Sequence, residues 1–197
     1  MMIMPANNLF SGVKELYRKY PDKIGILNTP YSWKNPTVIK NYAIDNGCFH
    51  QFNEQKFFNS LNRSMSFHKP MWVVCPDVVG CHDRTVILWL YYYPIISDMG
   101  FKVAFVAQDG CTPETVPKEA YCCFIGGLDP WKDDNIKNFI GVREWTHVGR
   151  VNGLGRLRTC LDLGVDSVDG SGLWVNQYKK LYEILGEYEA SQLKLWR

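Results

Sequence analysis

The sequence has no excess of charge: 22 Lys and Arg stand against 20 Asp and Glu, a formal net charge of +2. That balance argues against a strongly basic nucleic-acid clamp and leaves only a local basic patch open. No run approaches the ~20 apolar residues that cross a bilayer, and the longest candidate, TVILWLYYYPII, is broken by Pro94. The opening MMIMPANN lacks a charged n-region, a long apolar segment and a cleavage site, so no secretory signal is expected. The seven cysteines are odd in number and include no CxxC, which argues against a disulfide framework and a common zinc site. They sit mostly in apolar runs, as small hydrophobes in a reducing compartment do. HExxH, a GKS/T phosphate loop and a Ser–His–Asp or Cys–His order are also missing. A soluble cytoplasmic protein with no metal and no cofactor is expected.

What is present is a packed globular composition: 197 residues, 46% hydrophobic and 14% aromatic. This is enough for one substantial core and too little for two comfortable domains, and no linker interrupts it. Short apolar runs bounded by turn residues read as strands at 23–29, 41–47, 71–77, 102–109, 121–127, 145–150 and 164–170. Between them, 53–63, 83–100, 133–141 and 154–164 carry helical spacing, and TPETVP reads as a short helical turn. Gly100 marks a helix stop and Pro94 a kink. A final helix is expected over 174–197, its stripe of Tyr178, Leu181, Tyr182, Leu185 and Tyr188 packing on the core or on a second subunit, as in a homodimer.

Alternating strands and helices imply a parallel sheet, and strands apolar throughout imply that both of its faces are covered. A single-domain, compact (β/α)₈ barrel of the TIM type over residues 1–197 is the leading expectation. An open doubly wound sheet is the alternative, although the glycine-rich loop it would carry after its first strand is absent.

Polar residues gather where these strands end. Asp45 and Asn46 close one strand, Asp77 the next, then Gln108 with Asp109, Gly126 with Gly127, His147 with Arg150 and nearby Asn152, and finally Asp169. In parallel α/β folds such ends share one face, so residues far apart in sequence converge on one mouth. Each also has a plainer reading. Asp45, Asn46, Gln108 and Asp109 precede glycines and suit turns. Asp77 and Asp83 suit helix caps, and His147 suits a satisfied core position. Arg150, Arg156 and Arg158 suit either solvated helix starts or phosphate contacts.

Carboxylates dominate this set. Two aspartates facing one sugar carbon are the usual apparatus of glycosyl transfer, one attacking the anomeric carbon and the other handling a proton. Asp77 or Asp83, together with Gln108, matches the donor and acceptor edge of a purine-like base.

AIDNG, PDVVGCHD, VAQDG, FIGGLDPWK, HVGRVN and GVDSVDG resemble, in order and spacing, the core of tRNA-guanine transglycosylases. They are closer still to the shortened phage and bacterial DNA-guanine transglycosylases, which insert 7-deazaguanines into DNA. The resemblance runs from about residue 25 to residue 173 and implies a (β/α)₈ barrel that exchanges a guanine base. By it Asp169 is the nucleophile and Asp45 the general acid/base. Asp77 or Asp83, Gln108 and the Gly126–Gly127 backbone bind the departing and incoming bases, with Asn46, His147, Arg150 and Asn152 beside them. Gly170, Ser171 and Gly172 then leave room for a nucleic-acid backbone.

The sequence departs from the tRNA enzymes in lacking a cysteine-rich zinc subdomain after the barrel, which favours DNA over tRNA as partner. Arg143, Arg150, Arg156, Arg158, Lys179 and Lys180 are the candidate phosphate contacts. A free nucleoside substrate, or reliance on an accessory protein, is the alternative implied by small size. An N-glycosidic hydrolase needs the same two carboxylates and base pocket, and a non-catalytic nucleic-acid-binding subunit would keep the barrel alone.

Overall fold

Burial along the strands follows a period of two, with alternate residues entering two different cores. In β5 (Val103–Ala107), Val103, Phe105 and Ala107 join one buried cluster while Ala104 and Val106 join the other. In β6 (Cys122–Ile125), Cys123 and Ile125 fall in the first cluster, Cys122 and Phe124 in the second. The first cluster also holds helix residues such as Leu16, Phe57, Trp89 and Leu157, so it is the layer between sheet and helices. The second holds only residues of strands and their immediate flanks, among them Met4, Leu27, Ala43 and Trp72, and fills the space the sheet encloses.

That enclosure is a (β/α)₈ barrel. The computed structural model describes residues 1–5, 11–172, 181 and 183–186. Besides β5 and β6, the strands are β1 (Met2–Met4), β2 (Ile26–Asn28), β3 (Tyr42–Ile44), β4 (Val73–Val74), β7 (Trp145–Val148) and β8 (Ser167–Asp169). Pairing is parallel throughout, in the order β1-β8-β7-β6-β5-β4-β3-β2. A parallel bridge between Ile3 and Ile24 brings the two ends of this sheet together, with Ile3 N donating to Lys23 O at 2.8 Å and Gly25 N to Ile3 O at 3.0 Å.

The helices are α1 (Ser11–Lys19), α2 (Glu54–Ser64), α3 (His82–Asp98), α4 (Asp129–Asn135) and α5 (Leu154–Asp162). Asn53 caps α2 by accepting from Lys56 N at 2.9 Å, satisfying one of the amides a helix start leaves open. The β2–β3 connection carries no helix, and the β5–β6 connection only a 3₁₀ turn at Pro113–Thr115. Eight strand units therefore fit a chain shorter than the ~250 residues of typical barrels.

Seven strands fall where the sequence placed them. The eighth, β1, and the helix α1 were not expected: Met2-Ile3-Met4 is too short and too poor in β-branched residues to announce a strand. Helix α3 runs unbroken past Pro94, whose exposed ring leaves the unpaired carbonyl one turn back on the solvent side. The helix expected at 133–141 begins earlier, at Asp129 with Pro130 in its first turn, and gives way to a 3₁₀ turn at Ile136–Phe139. Of the helix expected over 174–197, Leu181 and residues 183–186 are helical, and Leu181, Ile184 and Leu185 are buried; the rest lies outside the described residues. No helix among the described residues is long and apolar enough to cross a membrane.

Candidate active site

The same alternation that fills the barrel interior continues past the strand ends. Asp45 lies one pleat above Ala43, Gln108 one above Val106, Gly126 one above Phe124 and Asp169 one above Ser167. All of them open into one cleft of about 500 Å³ at the C-terminal mouth of the barrel. Asn46, Asp77, Arg150 and Asn152 complete its polar wall. A volume of this size holds a base with its sugar.

One side of the cleft is a hydrogen-bonded carboxylate. Asp77, only 9% exposed, accepts from Asn46 Nδ2 at 2.6 Å on one oxygen and from Gln108 Nε2 at 2.5 Å on the other. Both amides are held in turn. Asn46 Nδ2 also donates to Cys75 O at 2.7 Å and its Oδ1 accepts from Cys48 N at 2.8 Å, while Gln108 Oε1 accepts from Gly80 N at 2.9 Å. These partners fix which end of each amide faces the carboxylate. Burial raises the Asp77 carboxyl above the usual range, opposed by the two amides and by the charge of Arg150. A side chain at Gly126 would place its Cβ 2.6 Å from Val106 Cγ1 and 2.8 Å from Gln108 Nε2, so only glycine lets Gln108 reach Asp77.

Asp45 differs. Among the described residues its carboxylate accepts only backbone hydrogen bonds, from Gly47 at 3.3 Å and from Asn46. Burial first, then the neighbouring charges of Asp169 and Asp77, push its carboxyl up to about 7. A carboxyl poised there can give and take a proton at neutral pH.

Asp169 is positioned from behind. Its Oδ1 accepts from His147 Nε2 and from Arg150 N, each at 3.1 Å. His147 is fully buried, its ring between Trp72 and Phe124 at centroid distances of 4.9 and 4.5 Å. His147 Nδ1 meets Ser167 Oγ at 2.7 Å, and Trp145 Nε1 donates to the same Oγ at 2.7 Å. Arg150 adopts a positive φ of 58°, which turns its amide toward Asp169 while its guanidinium reaches Gly127 O and lies 4.9 Å over the Phe49 ring. Beneath this turn Lys132, fully buried, donates to Gly149 O at 2.8 Å and sits 3.5 Å from Asp129 Oδ1. Burial and the charge of Arg150 lower its ammonium to about 8.

Several expected roles are redistributed. Asp83 is exposed in the first turn of α3 and does not line the cleft, so the structure separates it from Asp77. His147 stands behind Asp169 rather than on the cleft wall. The Gly126 amide donates to Ala107 O at 3.0 Å and is not free for a ligand, and Gly127 O is taken by Arg150. Gly170 and Ser171 line the cleft, while the Cβ direction at the two glycines is filled by the chain itself: a Cβ at Gly170 would lie 2.2 Å from Val151 O, and one at Gly172 2.6 Å from Asn152 O. Arg156 is committed to Asp133, at 2.6 and 2.8 Å, and to Asp129, and Arg143 to the carbonyls of Val116, Pro117 and Val142. Lys179 and Lys180 lie outside the described residues. Among the described residues, no group of three or more His, Cys, Asp or Glu is placed to hold a metal ion.

Sequence reasoning passed over Tyr31, Phe49 and His50, which line the cleft, and Ser167 and Lys132, which support it. Phe49 and Tyr31 are exposed aromatics in a turn-rich stretch, a signal that was available. A lysine one turn into a helix reads as solvated, and nothing in the sequence marked Lys132 as buried. No protein-family model matches this chain, and a search of curated proteins finds no match.

Proposed function

We propose that this chain is a base-exchange transglycosylase that replaces guanine in DNA with a 7-deazaguanine through a covalent aspartyl-sugar intermediate. The observation that carries this reading is the convergence of three carboxylates in three different environments on one cleft. Asp77 is gripped by two amides, Asp45 is pushed up to about 7, and Asp169 has one oxygen held from behind. In this reading Asp169 attacks the anomeric carbon as the glycosidic C–N bond breaks, and Asp45 gives a proton to the departing base. The incoming base loses its proton to Asp45 as its nitrogen displaces Asp169. Asp77 and Gln108 meet the N–H and carbonyl edge of the purine.

The rim supports a polynucleotide partner. Lys56 lies 4.7 Å over Tyr31 and Arg150 4.9 Å over Phe49, and both rings line the cleft. Cations interleaved with aromatic rings suit a flipped base and its flanking phosphates.

The test is incorporation of labelled guanine into duplex DNA, single-stranded DNA, tRNA and a free nucleoside, with Asp169→Asn as control. Label entering DNA and absent with the variant is the expected result. Label in tRNA or nucleoside alone would move the substrate, guanine release without incorporation would make the protein a hydrolase, and neither would leave a binding subunit.

A further inference from the structure

Asp169 presents two oxygens that are not equivalent. Oδ1 receives two N–H donors, from His147 and from the Arg150 backbone, while no side-chain hydrogen bond to Oδ2 occurs among the described residues. His147 is fully buried on β7 and the Arg150 amide belongs to the turn that follows it, so Oδ2 is the oxygen of Asp169 that these donors leave open.

The proton on the histidine ring is set by the groups around it. Indole N–H can only donate, so Ser167 Oγ accepts from Trp145; an ionised carboxylate can only accept, so His147 Nε2 must donate to Asp169. The remaining contact, 2.7 Å between Ser167 Oγ and His147 Nδ1, is then the serine hydroxyl donating to the ring. Four groups form one chain of hydrogen bonds, all pointing toward Asp169, with each polar atom used. Register supports it: His147 pairs with Ser167 across β7 and β8, and the period of two puts Asp169 on the same interior face. The aromatic walls of Trp72 and Phe124 prevent the ring from turning away.

We propose that His147 and the Arg150 amide form a two-donor cradle for Asp169 Oδ1, with Ser167 and Trp145 fixing the ring proton at Nε2, so that Oδ2 is the attacking oxygen. This rests on the transglycosylase reading. In the first step an Oδ2 lone pair forms the bond to the anomeric carbon, and the C–N bond electrons leave with the base. Oδ1 becomes the ester carbonyl oxygen and stays in the cradle. In the second step the incoming nitrogen forms its bond to the same carbon, and the C–Oδ2 electrons return to the carboxylate. Hydrogen bonds to a carboxylate are stronger than to an ester, so the cradle favours this departure. His147 is a positioning residue: it transfers no proton at either step. The arrangement also separates duties, since in this reading the proton traffic belongs to Asp45, past the end of β3.

Two measurements test this. The first is nitrogen NMR of the ring-labelled full chain, which needs no substrate. The expected spectrum shows His147 protonated at Nε2 alone, with Nδ1 as the acceptor, and a displaced Nδ1 resonance in Ser167→Ala. A ring protonated at Nδ1, or a spectrum unmoved by Ser167→Ala, overturns the cradle. The second is single-turnover decay of the aspartyl-sugar adduct. His147→Phe, which fills the aromatic cage without a donor, should slow decay by about 10- to 100-fold, and His147→Gln, which restores an N–H, should recover most of it. Equal slowing by Phe and Gln, or none by either, refutes the role while leaving base exchange intact. The predicted spectrum in a protein that forms no adduct would instead remove the transglycosylase reading and keep the tautomer. If His147→Phe does not fold, Ser167→Ala carries the kinetic comparison.

Discussion

Replacing Asp45 by asparagine should make the folded protein more stable in alkaline solution and, on the transglycosylase reading, remove base exchange. The carboxyl is held at about 7 against an ordinary value of 3.8, chiefly by burial and then by Asp169 and Asp77. Below about pH 4 the carboxyl is protonated in folded and unfolded chains alike, and the substitution changes little. From about pH 4 to about pH 7 the unfolded chain ionises this group while the folded chain keeps its proton, so folding loses ground as the pH rises. Above about pH 7 the full cost is present. At about 1.4 kcal/mol per pH unit it amounts to about 4 kcal/mol, or roughly 10 °C in Tm for a chain of this size. Asparagine keeps the shape and carries no charge, so Asp45→Asn should gain that amount over wild type in alkaline buffer and nothing in acid. The assay is a pair of urea titrations or thermal melts across the range. A difference between the two proteins that does not vary with pH, or an Asp45→Asn protein less stable than wild type in alkaline buffer, would refute the reasoning.

Other outcomes are expected from the same geometry. Asp77→Asn should abolish detectable guanine binding by calorimetry while Asp83→Asn, on an exposed helix turn, leaves it unchanged. Gly126→Ala should weaken guanine binding at least tenfold, because its Cβ displaces Gln108, and should cost about 1–3 kcal/mol of stability by overpacking against Val106. Arg156→Ala removes an exposed ion pair and should cost under about 1 kcal/mol with no change in DNA affinity by anisotropy, whereas Arg150→Ala should weaken DNA binding measurably.

How much of this was legible in the sequence depends on which physical rule carried it. Strand ends followed by turn residues gave the mouth of the barrel, because parallel topology forces those ends onto one face. Which of Asp77 and Asp83 belongs to the cleft was not legible, since both are acidic residues near a helix start. Only the placement of Asn46 and Gln108 against the former separates them. His147 was named beside the base; alternation along WTHVG puts it inside the barrel, below the mouth, and that periodicity was available. The glycines after Asp169 were read as room for a ligand; Gly170 does border the cleft, but the 151–152 backbone also requires glycine there, because close approach of one loop to another leaves the same signature as close approach of a substrate. Arg143 and Arg156 show the converse: surface arginines read as phosphate contacts find carbonyls and carboxylates of their own chain once it is folded.

The pairing of β1 with β8 sets a schedule for assembly. Met4 lies in register with Asp169, a separation of 169 − 4 = 165 residues, so the strand bearing Asp169 acquires its second neighbour only when the two ends of the barrel meet. During synthesis at ~5–20 residues per second, β1 waits on the order of 10 s or more for that partner, and contacts this distant in sequence form late. Asn46, Asp77 and Gln108 lie just past the ends of β3, β4 and β5, which follow one another in the sheet and can pair as soon as they emerge. The half of the cleft built around Asp77 can therefore be in place on an open sheet before Asp169 has been made, so that, on the transglycosylase reading, a base could be bound before it could be exchanged.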